Sequence, residues 1–385
     1  MSYAASMPVD APQAASDVAE IIEAHADDAV RRRRLPPTTV DALVHAGLMR
    51  MGVPAEYGGP EVAAPDMIEA ITVLAHADGA AGWCSMIAST TSTMAAFLPA
   101  DGAREIYGDP SVVTGGVFAP NGRGTCVAEG SDGGPGVSVS GRWAWGSGTQ
   151  HCAWILGGVG CDDGTFRLCW FPQDDVTFLD TWHTGGMRGS GSLDYSVVDA
   201  FVPDHRTMRP GVSAPVVSTP LSRFPNFTLL AACVSAVGLG VGRRALDELL
   251  DLAQSKRPQF SSRTLAHNAF SQVELARAEA RLRSARAFLL DEVGSAWESV
   301  VDGGDVTLDQ RTAIRLAATN AAVAGAEVAQ SAFTSAGGTA VYDTSPLGRC
   351  LADAHVVTQH IQTAPKLLEK IGQLLFGLDV DTSMF

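Results

Sequence analysis

Residues 143–154, WAWGSGTQHCAW, decide how the chain is divided. Trp143 and Trp145 alternate with smaller residues as in a β-strand, the Gly-Ser-Gly that follows has turn character, and Trp154 begins another apolar run. Similar short runs, separated by clusters of Gly, Asp and Ser, continue from residue 111 to residue 208. The pattern predicts a compact β-domain of roughly 100 residues, built as a barrel or sandwich.

Helical patterns flank this β-domain on both sides. Residues 15–107 carry amphipathic and apolar helical segments, and the helical period returns after a Pro- and Ser-rich connection at residues 209–224. The sequence therefore predicts an α+β fold that is mainly α-helical. Its predicted domains are an N-terminal helical domain at 1–110, the β-domain at 111–208 and a C-terminal helical bundle of the four-helix type at 209–385.

Composition excludes several kinds of partner. Hydrophobic residues make up 46% of the 385 residues and charged residues 18%, a balance that suits large internal surfaces. A net charge of −15 disfavours binding to nucleic acid or to anionic membranes, because both require a basic surface. The N-terminal residues lack the basic and then apolar layout of a signal peptide. We therefore expect a cytoplasmic protein that acts on a small molecule.

The cysteine and histidine patterns do not predict a metal site. The seven cysteines form no CxxC pair and are scattered among apolar residues, which indicates buried, reduced thiols without a disulfide framework. His355 and His360 are five residues apart, so they share a helical face poorly and are not expected to bind one metal ion together.

Four segments, in the same order, resemble motifs of the acyl-CoA dehydrogenase superfamily. They are RWAWGSGTQHCAW (142–154), MRGSGSLDYSVVDAFVP (187–203), KRPQF (256–260) and SAGGTAVYDTSPLGRCLADAH (335–355). The resemblance covers nearly the whole chain. It implies the family's order of a helical, a β and a second helical domain, a bound flavin, and a homotetramer.

The catalytic base of an acyl-CoA dehydrogenase is missing from both of its known positions. Such an enzyme needs a carboxylate to remove a weakly acidic α-proton while hydride passes to the flavin. In most members this is the Glu of a Y-E-G-T motif, and here Ile361 stands in that place, preceded by His360. Other members take the base from the start of the first bundle helix, but no Asp or Glu occurs between Asp204 and Asp247. Ordinary acyl-CoA dehydrogenation is therefore disfavoured.

The chain is more similar to the flavin-dependent, two-component (group D) monooxygenase branch of that superfamily. The branch's W-x-S-G-x-x-H pattern is present as Trp145, Ser147, Gly148 and His151, and its R-D-A-H-x(4)-H ending is matched by His355 and His360. The resemblance implies the oxygenase component, which takes reduced FAD or FMN from a separate flavin reductase. It also implies a C4a-hydroperoxide that oxygenates a small organic substrate, with Ser147 and His360 as catalytic residues.

The same resemblance assigns the cofactor contacts. An indole beside Gly-Ser-Gly suits a flat ring, because it offers a stacking wall next to backbone that lacks bulky side chains. The cofactor tail is held either within the chain or from a neighbouring subunit. The expected contacts are Trp83, Phe118, Trp145 and Ser147 at the ring, Arg257 and Phe260 at the tail, and Gly338 and Thr339 in the Gly-Gly segment.

Two departures and several alternatives stand beside this hypothesis. Thr91 occupies a place where aromatic hydroxylases of the branch carry a His, and Ala352 replaces the Arg of R-D-A. The alternative functions are an acyl-CoA dehydrogenase-like FAD oxidoreductase with a displaced base, and a non-catalytic subunit that pairs with an active homologue. For single residues the alternatives are structural, with Ser147 as a turn residue and His360 as a helix-end histidine.

Overall fold

The computed structural model describes residues 9–130 and 134–385. Residues 1–8, which carry part of the prediction that no signal peptide is present, lie outside the described residues, as do residues 131–133. In the described part, helices precede and follow a β-sheet. This order confirms the predicted α+β, mainly α-helical fold of the acyl-CoA dehydrogenase type.

The N-terminal domain is built from helices packed around a common apolar core. In the described residues they are α1 (Ala11–Ala24), α2 (Ala26–Arg32), α3 (Pro37–His45), α4 (Ala64–Ala77), α5 (Gly79–Ser92) and α6 (Ala100–Tyr107). Asp78 begins α5, because its side chain accepts a hydrogen bond from Ala81 N and so satisfies a free amide of the first turn. Helix α5 is buried on nearly every side and carries Trp83 into the interior.

The middle domain is a seven-stranded sheet with the spatial order β5-β6-β2-β1-β3-β4-β7. Its strands are β1 (Thr114–Val127), β2 (Gly136–Gly146), β3 (Trp154–Cys161), β4 (Phe166–Pro172), β5 (Thr177–Leu179), β6 (Leu193–Pro203) and β7 (Thr207–Met208). The described strands form one continuous sheet, and the barrel or sandwich expected from the sequence stays a prediction. The long strand β1 pairs with β2 on one side and with β3 on the other. Its register with β3 shifts between Val117 and Gly122.

Trp143 and Trp145 lie in opposite environments, which strand periodicity alone does not predict. Trp143 is fully buried, donates from Nε1 to Gly158 O at 2.9 Å and stacks on Tyr195 with ring centroids 5.3 Å apart. In a regular strand Trp145 would share this face. The pairing of β2 is irregular after Trp143, and Trp145 has a φ of +66°, so its indole turns outward and is 73% exposed.

The C-terminal domain is a helical bundle. In the described residues its helices are α7 (Pro220–Arg223), α8 (Asn226–Ser255), α9 (Ala269–Val301), α10 (Leu308–Ala336), α11 (Pro346–Val357) and α12 (Leu367–Leu375). Helices α8 and α10 cross at two glycines, because a Cβ on Gly325 would lie 2.2 Å from Gly238 O. Helix α8 is long and apolar enough to cross a membrane, but 83% of its most apolar window is buried inside the protein, as expected for a core helix.

The cysteines are free thiols, and one departs from the expected burial. Cys126 is exposed near the end of β1, so the prediction that the cysteines are buried was wrong at this position. Its Sγ, the Sγ of Cys161 and a carboxylate oxygen of Asp163 lie within 4.8 Å of one another, a spacing that could hold a metal ion. Arg167 already contacts Cys126 Sγ at 3.7 Å and Asp163 at 3.1 Å, so a guanidinium cation is bonded to two of these three groups.

Candidate functional site

Ser147 follows the last residue of β2 and faces α5. Trp83 donates a hydrogen bond from Nε1 to Ser147 Oγ at 2.9 Å, and both side chains are buried. Gly148 has a φ of +68°, the left-handed conformation that glycine adopts without cost, and a Cβ there would lie 3.4 Å from Cys84. The Gly-Ser-Gly sequence therefore lets the chain turn close to α5 and places the Ser147 hydroxyl on the indole edge of Trp83.

Two more serines extend from Ser147 into a hydrogen-bonded hydroxyl cluster. Ser192 Oγ lies 2.7 Å from Ser147 Oγ and 2.7 Å from Ser190 Oγ, and all three side chains are buried. Gly148 N donates to Ser190 O at 2.9 Å, which ties the 187–192 segment to the turn. A hydroxyl has one hydrogen to donate, so the Ser147 hydrogen is free for a bound ligand when Ser192 acts as the donor between them.

Two aromatic residues offer surface that the described chain does not cover completely. Trp145, two residues before Ser147, combines 73% exposure with a positive φ, which is unfavourable for a bulky residue. Phe118 of β1 is partly buried and meets Phe227, in the first turn of α8, edge to face with centroids 6.1 Å apart. These rings are suited to packing against a flat apolar ligand.

His360 lies in the turn that follows α11, beside Trp83. The two ring centroids are 5.6 Å apart at an interplanar angle of 76°. Gln362 N donates to His360 Nδ1 at 3.3 Å, so the neutral ring carries its hydrogen on Nε2. Burial, followed by the positive charge of Arg315, lowers the pKa of His360 to about 4. At neutral pH the residue therefore presents an uncharged Nε2–H donor.

The site lacks a carboxylate suited to proton abstraction. Within the described residues, no Asp or Glu side chain forms a hydrogen bond with Ser147 or His360. Buried carboxyl groups do occur on the elements that carry Trp83 and His360, namely Asp78 before α5 and Asp353 on α11. Each is committed to a backbone amide, since Asp78 accepts from Ala81 N and Asp353 accepts from Met187 N at 2.5 Å.

Asp353 holds the segment that carries Ser190 and Ser192. Met187 has a φ of +50°, which is unusual for a residue with a side chain, and its amide is fixed by the Asp353 carboxyl. Ser190 N in turn donates to Met187 O at 3.0 Å. Helix α11 therefore positions the hydroxyl cluster through Asp353, and burial raises the pKa of this carboxyl to about 7.

Replacing Asp353 by Asn is expected to change how stability depends on pH. A carboxyl whose pKa is higher in the folded chain stabilises the fold at low pH and loses that contribution as the pH rises through about 7. The Asn variant keeps the acceptor for Met187 N and does not ionise. Between pH 5 and pH 8, the free energy of unfolding of the wild type should fall by on the order of 1–3 kcal/mol relative to that of the variant.

Thermal unfolding midpoints of both proteins across this pH range measure the difference. Asp305→Asn, at an exposed carboxylate, serves as the matched control and should leave the pH dependence of the wild type unchanged. Parallel curves for the wild type and Asp353→Asn would show that Asp353 does not titrate in this range.

The residues predicted to hold the cofactor tail lie at the other end of the bundle. Arg257 and Phe260 follow the C-terminal end of α8, both are exposed, and Phe260 is 100% exposed with a φ of +63°. Gly338 and Thr339 form an exposed turn next to them, because Lys256 Nζ contacts Ala336 O. Helix α8 has 30 residues and is therefore about 45 Å long, and its first turn is the end near Phe118. One chain does not bring the two groups together.

The remaining motif histidines are less closely associated with Ser147. His355 is exposed on α11. His151 lies in the short turn Thr149–His151, and its buried Nε2 has no hydrogen-bond partner in the described residues. Burial, followed by the charge of Arg34, lowers the pKa of His151 to about 4.

Sequence reasoning missed the residues that support the predicted site residues. Ser190 and Ser192 were within a quoted motif, and their spacing on either side of Gly191 could have indicated a pair of hydroxyls. Asp353 was part of the R-D-A resemblance, but its partner is 166 residues away along the chain. Buried Arg315, which acts on His360, had no local signal.

Comparison with known proteins identifies the family of the chain. Residues 13–106 match the family model described as Acyl-CoA dehydrogenase, N-terminal domain, and residues 232–365 match Acyl-CoA dehydrogenase, C-terminal domain. The chain is 36% identical to indole-3-acetate monooxygenase of Pseudomonas putida over 90% of its own length and 88% of the relative's.

Two further similarities are to proteins from Rhodococcus. The chain is 29% identical to the flavin-dependent monooxygenase oxygenase subunit HsaA of Rhodococcus jostii, over 91% of this chain and 94% of that protein. The crystal structure of 3-HSA hydroxylase from Rhodococcus sp. RHA1 superposes with a TM-score of 0.90 at 26% identity, covering 98% and 99% of the two chains. The similarity therefore extends over the helical, β and bundle domains together.

Proposed function

Since this chain belongs to the acyl-CoA dehydrogenase family, we propose that its site at Trp83, Ser147 and His360 receives a small aromatic substrate, with indole-3-acetate as the first candidate. The chain is the oxygenase component of a two-component flavin-dependent monooxygenase, and it works with reduced flavin supplied by a separate reductase component. One oxygen atom of O2 enters the substrate, the other leaves as water, and the reduced flavin provides two electrons and two protons.

One observation carries the proposal. Trp83 brings the hydroxyl of Ser147 and the uncharged imidazole of His360 to one site, and neither group is bonded to a carboxylate. A dehydrogenase would need a carboxylate there to remove a carbon-bound proton. Hydroxyl and imidazole N–H groups instead suit the stabilisation of a reactive oxygen atom by hydrogen bonds.

The residues present fit a flavin. Trp145 supplies an uncovered indole face, and Ser147, two residues later, supplies a hydroxyl. When bound, reduced flavin supplies the electrons that activate O2. The chain's own part is to orient the ring against Trp145, to donate a hydrogen bond from Ser147 and to keep His360 neutral beside the substrate.

An aromatic substrate is supported by the composition of the site. Trp83 of α5 packs edge to face against His360, and Phe118 of β1 meets Phe227 of α8 edge to face. Aromatic pairs gain about 0.5–1.5 kcal/mol beyond simple burial, which favours a planar ligand over an aliphatic one. The 36% identical relative from Pseudomonas putida is an indole-3-acetate monooxygenase, in line with this inference.

We also propose that a neighbouring copy of the chain completes the cofactor site in a cytoplasmic homotetramer. Arg257 and Phe260 are exposed and lie far along α8 from Phe118, so they would serve the flavin of another protomer. A fully exposed Phe260 held at a positive φ is otherwise unexplained. Sedimentation velocity of the flavin-free and flavin-loaded protein tests the assembly, and a monomer in both states would contradict it.

The function is tested with reduced FMN or FAD, an unrelated NADH-dependent flavin reductase and 18O-labelled O2. Indole-3-acetate should gain one labelled oxygen atom, detected by mass spectrometry. Butyryl-CoA with an artificial electron acceptor is the matched substrate for the dehydrogenase alternative, and it should not be oxidised. Oxidation of the acyl-CoA without incorporation of label would overturn the assignment, whereas labelling of another aromatic compound would change only the substrate.

A further inference from the structure

Arg315 is a buried cation without an acidic partner. It lies on α10, is 1% exposed, and forms no ion pair with any residue that the structure describes. Its Nη1 donates to Phe227 O at 3.2 Å and contacts Gln362 Oε1, while its Nε is buried without a hydrogen-bond partner. A buried charge of this kind is costly, since it normally requires a paired opposite charge.

The contacts of Arg315 lead directly to His360. Gln362 is buried, its side-chain oxygen accepts from Arg315, and its backbone N–H donates to His360 Nδ1 at 3.3 Å. The same turn is closed by Thr363 N and Ala364 N, which both donate to His360 O at 2.9 Å. Arg315 therefore joins α8 and α10 to the turn that sets the orientation of the His360 ring.

Within residues 9–130 and 134–385, Arg315 is the charged group that acts on the pKa of His360. The elements around the ring are α5, which contributes Trp83, the turn after α11, and α10, which contributes Arg315. Among the described residues, Arg315 is the one whose charge lowers the pKa of His360, in addition to burial. An Asp or Glu paired with Arg315 would cancel the effect of its positive charge on the pKa of His360. Because Arg315 has no such partner among the described residues, its charge acts on the His360 ring.

We propose that Arg315 is a positioning residue that acts through Gln362 to fix the His360 ring with its hydrogen on Nε2. The effect of Arg315 on oxygenation rests on the proposed function, whereas its effect on the His360 ring can be measured in the flavin-free chain. Any residue of similar size could fill the space on α10, but only a cation with two or more donors both repels a proton from His360 and fixes Gln362.

The test is NMR of flavin-free protein labelled with 15N and 13C in histidine, with the His360 signals assigned from a His360→Gln variant. The wild type should show hydrogen on Nε2 and remain uncharged to about pH 5. Arg315→Met should mix the two tautomers and move the pKa of His360 up by about one pH unit. Arg315→Lys keeps the charge, so it should keep the low pKa while losing part of the tautomer preference.

Two more variants keep the test decisive. Gln362→Met removes the side-chain acceptor of Arg315 and should mix the two His360 tautomers with a smaller change in the pKa of His360. This variant tests the proposal if Arg315→Met does not fold. Arg311→Met, one turn earlier on α10, is the matched control and should leave both signals unchanged. Wild-type tautomer and pKa in Arg315→Met and Gln362→Met would overturn the proposal.

Activity separates this proposal from the proposed function. In the reductase-coupled assay, Arg315→Met should lower the yield of oxygenated product per NADH about 10-fold at pH 7, with Arg311→Met unaffected. If the NMR changes occur but the wild type oxygenates no aromatic compound, the positioning role stands and the proposed function fails. If the wild type oxygenates an aromatic compound but the His360 signals do not change in the variants, the proposed function stands and the positioning role of Arg315 fails.

Discussion

Replacing Ser147 by Ala is expected to lower the yield of oxygenated product per reduced flavin by about 100-fold, with the missing electrons recovered as hydrogen peroxide. Ser147 receives a hydrogen bond from Trp83 Nε1 and lies 2.7 Å from Ser192 Oγ, so its own hydrogen can be directed at a ligand. A fixed donor in a buried site stabilises developing negative charge without reorganisation, which water cannot do. Product yield and peroxide are measured together in the reductase-coupled assay.

The serine cluster supplies graded controls for this result. Ser192→Ala removes the hydrogen bond that orients the Ser147 hydroxyl, and we expect a loss of product yield of about 10-fold. Ser190→Ala removes only the far end of the cluster, and its loss should be smaller than that of Ser192→Ala. Equal losses in all three variants would indicate a packing role for the serines, and an unchanged yield in Ser147→Ala would remove Ser147 from the catalytic residues.

Flavin binding must be measured beside the yield. Trp145→Leu is the informative comparison, because it removes the exposed indole and leaves the Ser147 hydroxyl in place. We expect it to weaken the binding of reduced flavin by about 10-fold without the sharp rise in peroxide per flavin bound. A rise in peroxide as large as that of Ser147→Ala would show that the indole and the hydroxyl act together.

The order of the domains could be predicted from the sequence because it depends on local periodicity. Helical and strand periods are visible in windows of 10 to 20 residues, and the motif resemblance added the family. The outward turn of Trp145 could not be predicted in this way. It arises from an irregular pairing of β2 with β6 after Trp143, and pairing register depends on a strand that is about 50 residues away.

The catalytic roles of the predicted site residues stay a prediction, and the hydrogen-bonding and charge states of these residues depend on distant parts of the chain. Ser147 and His360 were found from motifs, and Trp83 indeed connects them. Whether Ser147 can donate depends on Ser192, and whether His360 is charged depends on burial and on Arg315. Ser192 lies just before β6 and Arg315 lies on α10. Sequence patterns do not show how close these residues are to Ser147 and His360 in the fold. Protonation state is therefore the part of the site that only the structure supplies.

Replacing His360 by Leu is expected to reduce oxygenation by about 100-fold at pH 7, because it removes the Nε2–H donor beside Trp83. His360→Gln is the informative partner, since its amide nitrogen can occupy a position close to Nε2 and can donate a hydrogen bond without titrating. We expect His360→Gln to retain most of the product yield. His355→Gln, at the exposed histidine of α11, is the matched control and should behave as wild type.

The pH dependence distinguishes a hydrogen-bond donor from a general base at His360. Because the pKa of His360 is lowered to about 4, the ring is uncharged throughout pH 5.5–8, and its protonation changes only below that range. The product yield should therefore be flat from pH 5.5 to 8 in both the wild type and His360→Gln. A wild-type yield that rises with an apparent pKa near 6.5 and becomes flat in His360→Gln would show that His360 titrates as a base, and the donor role inferred from its Nε2–H would be wrong.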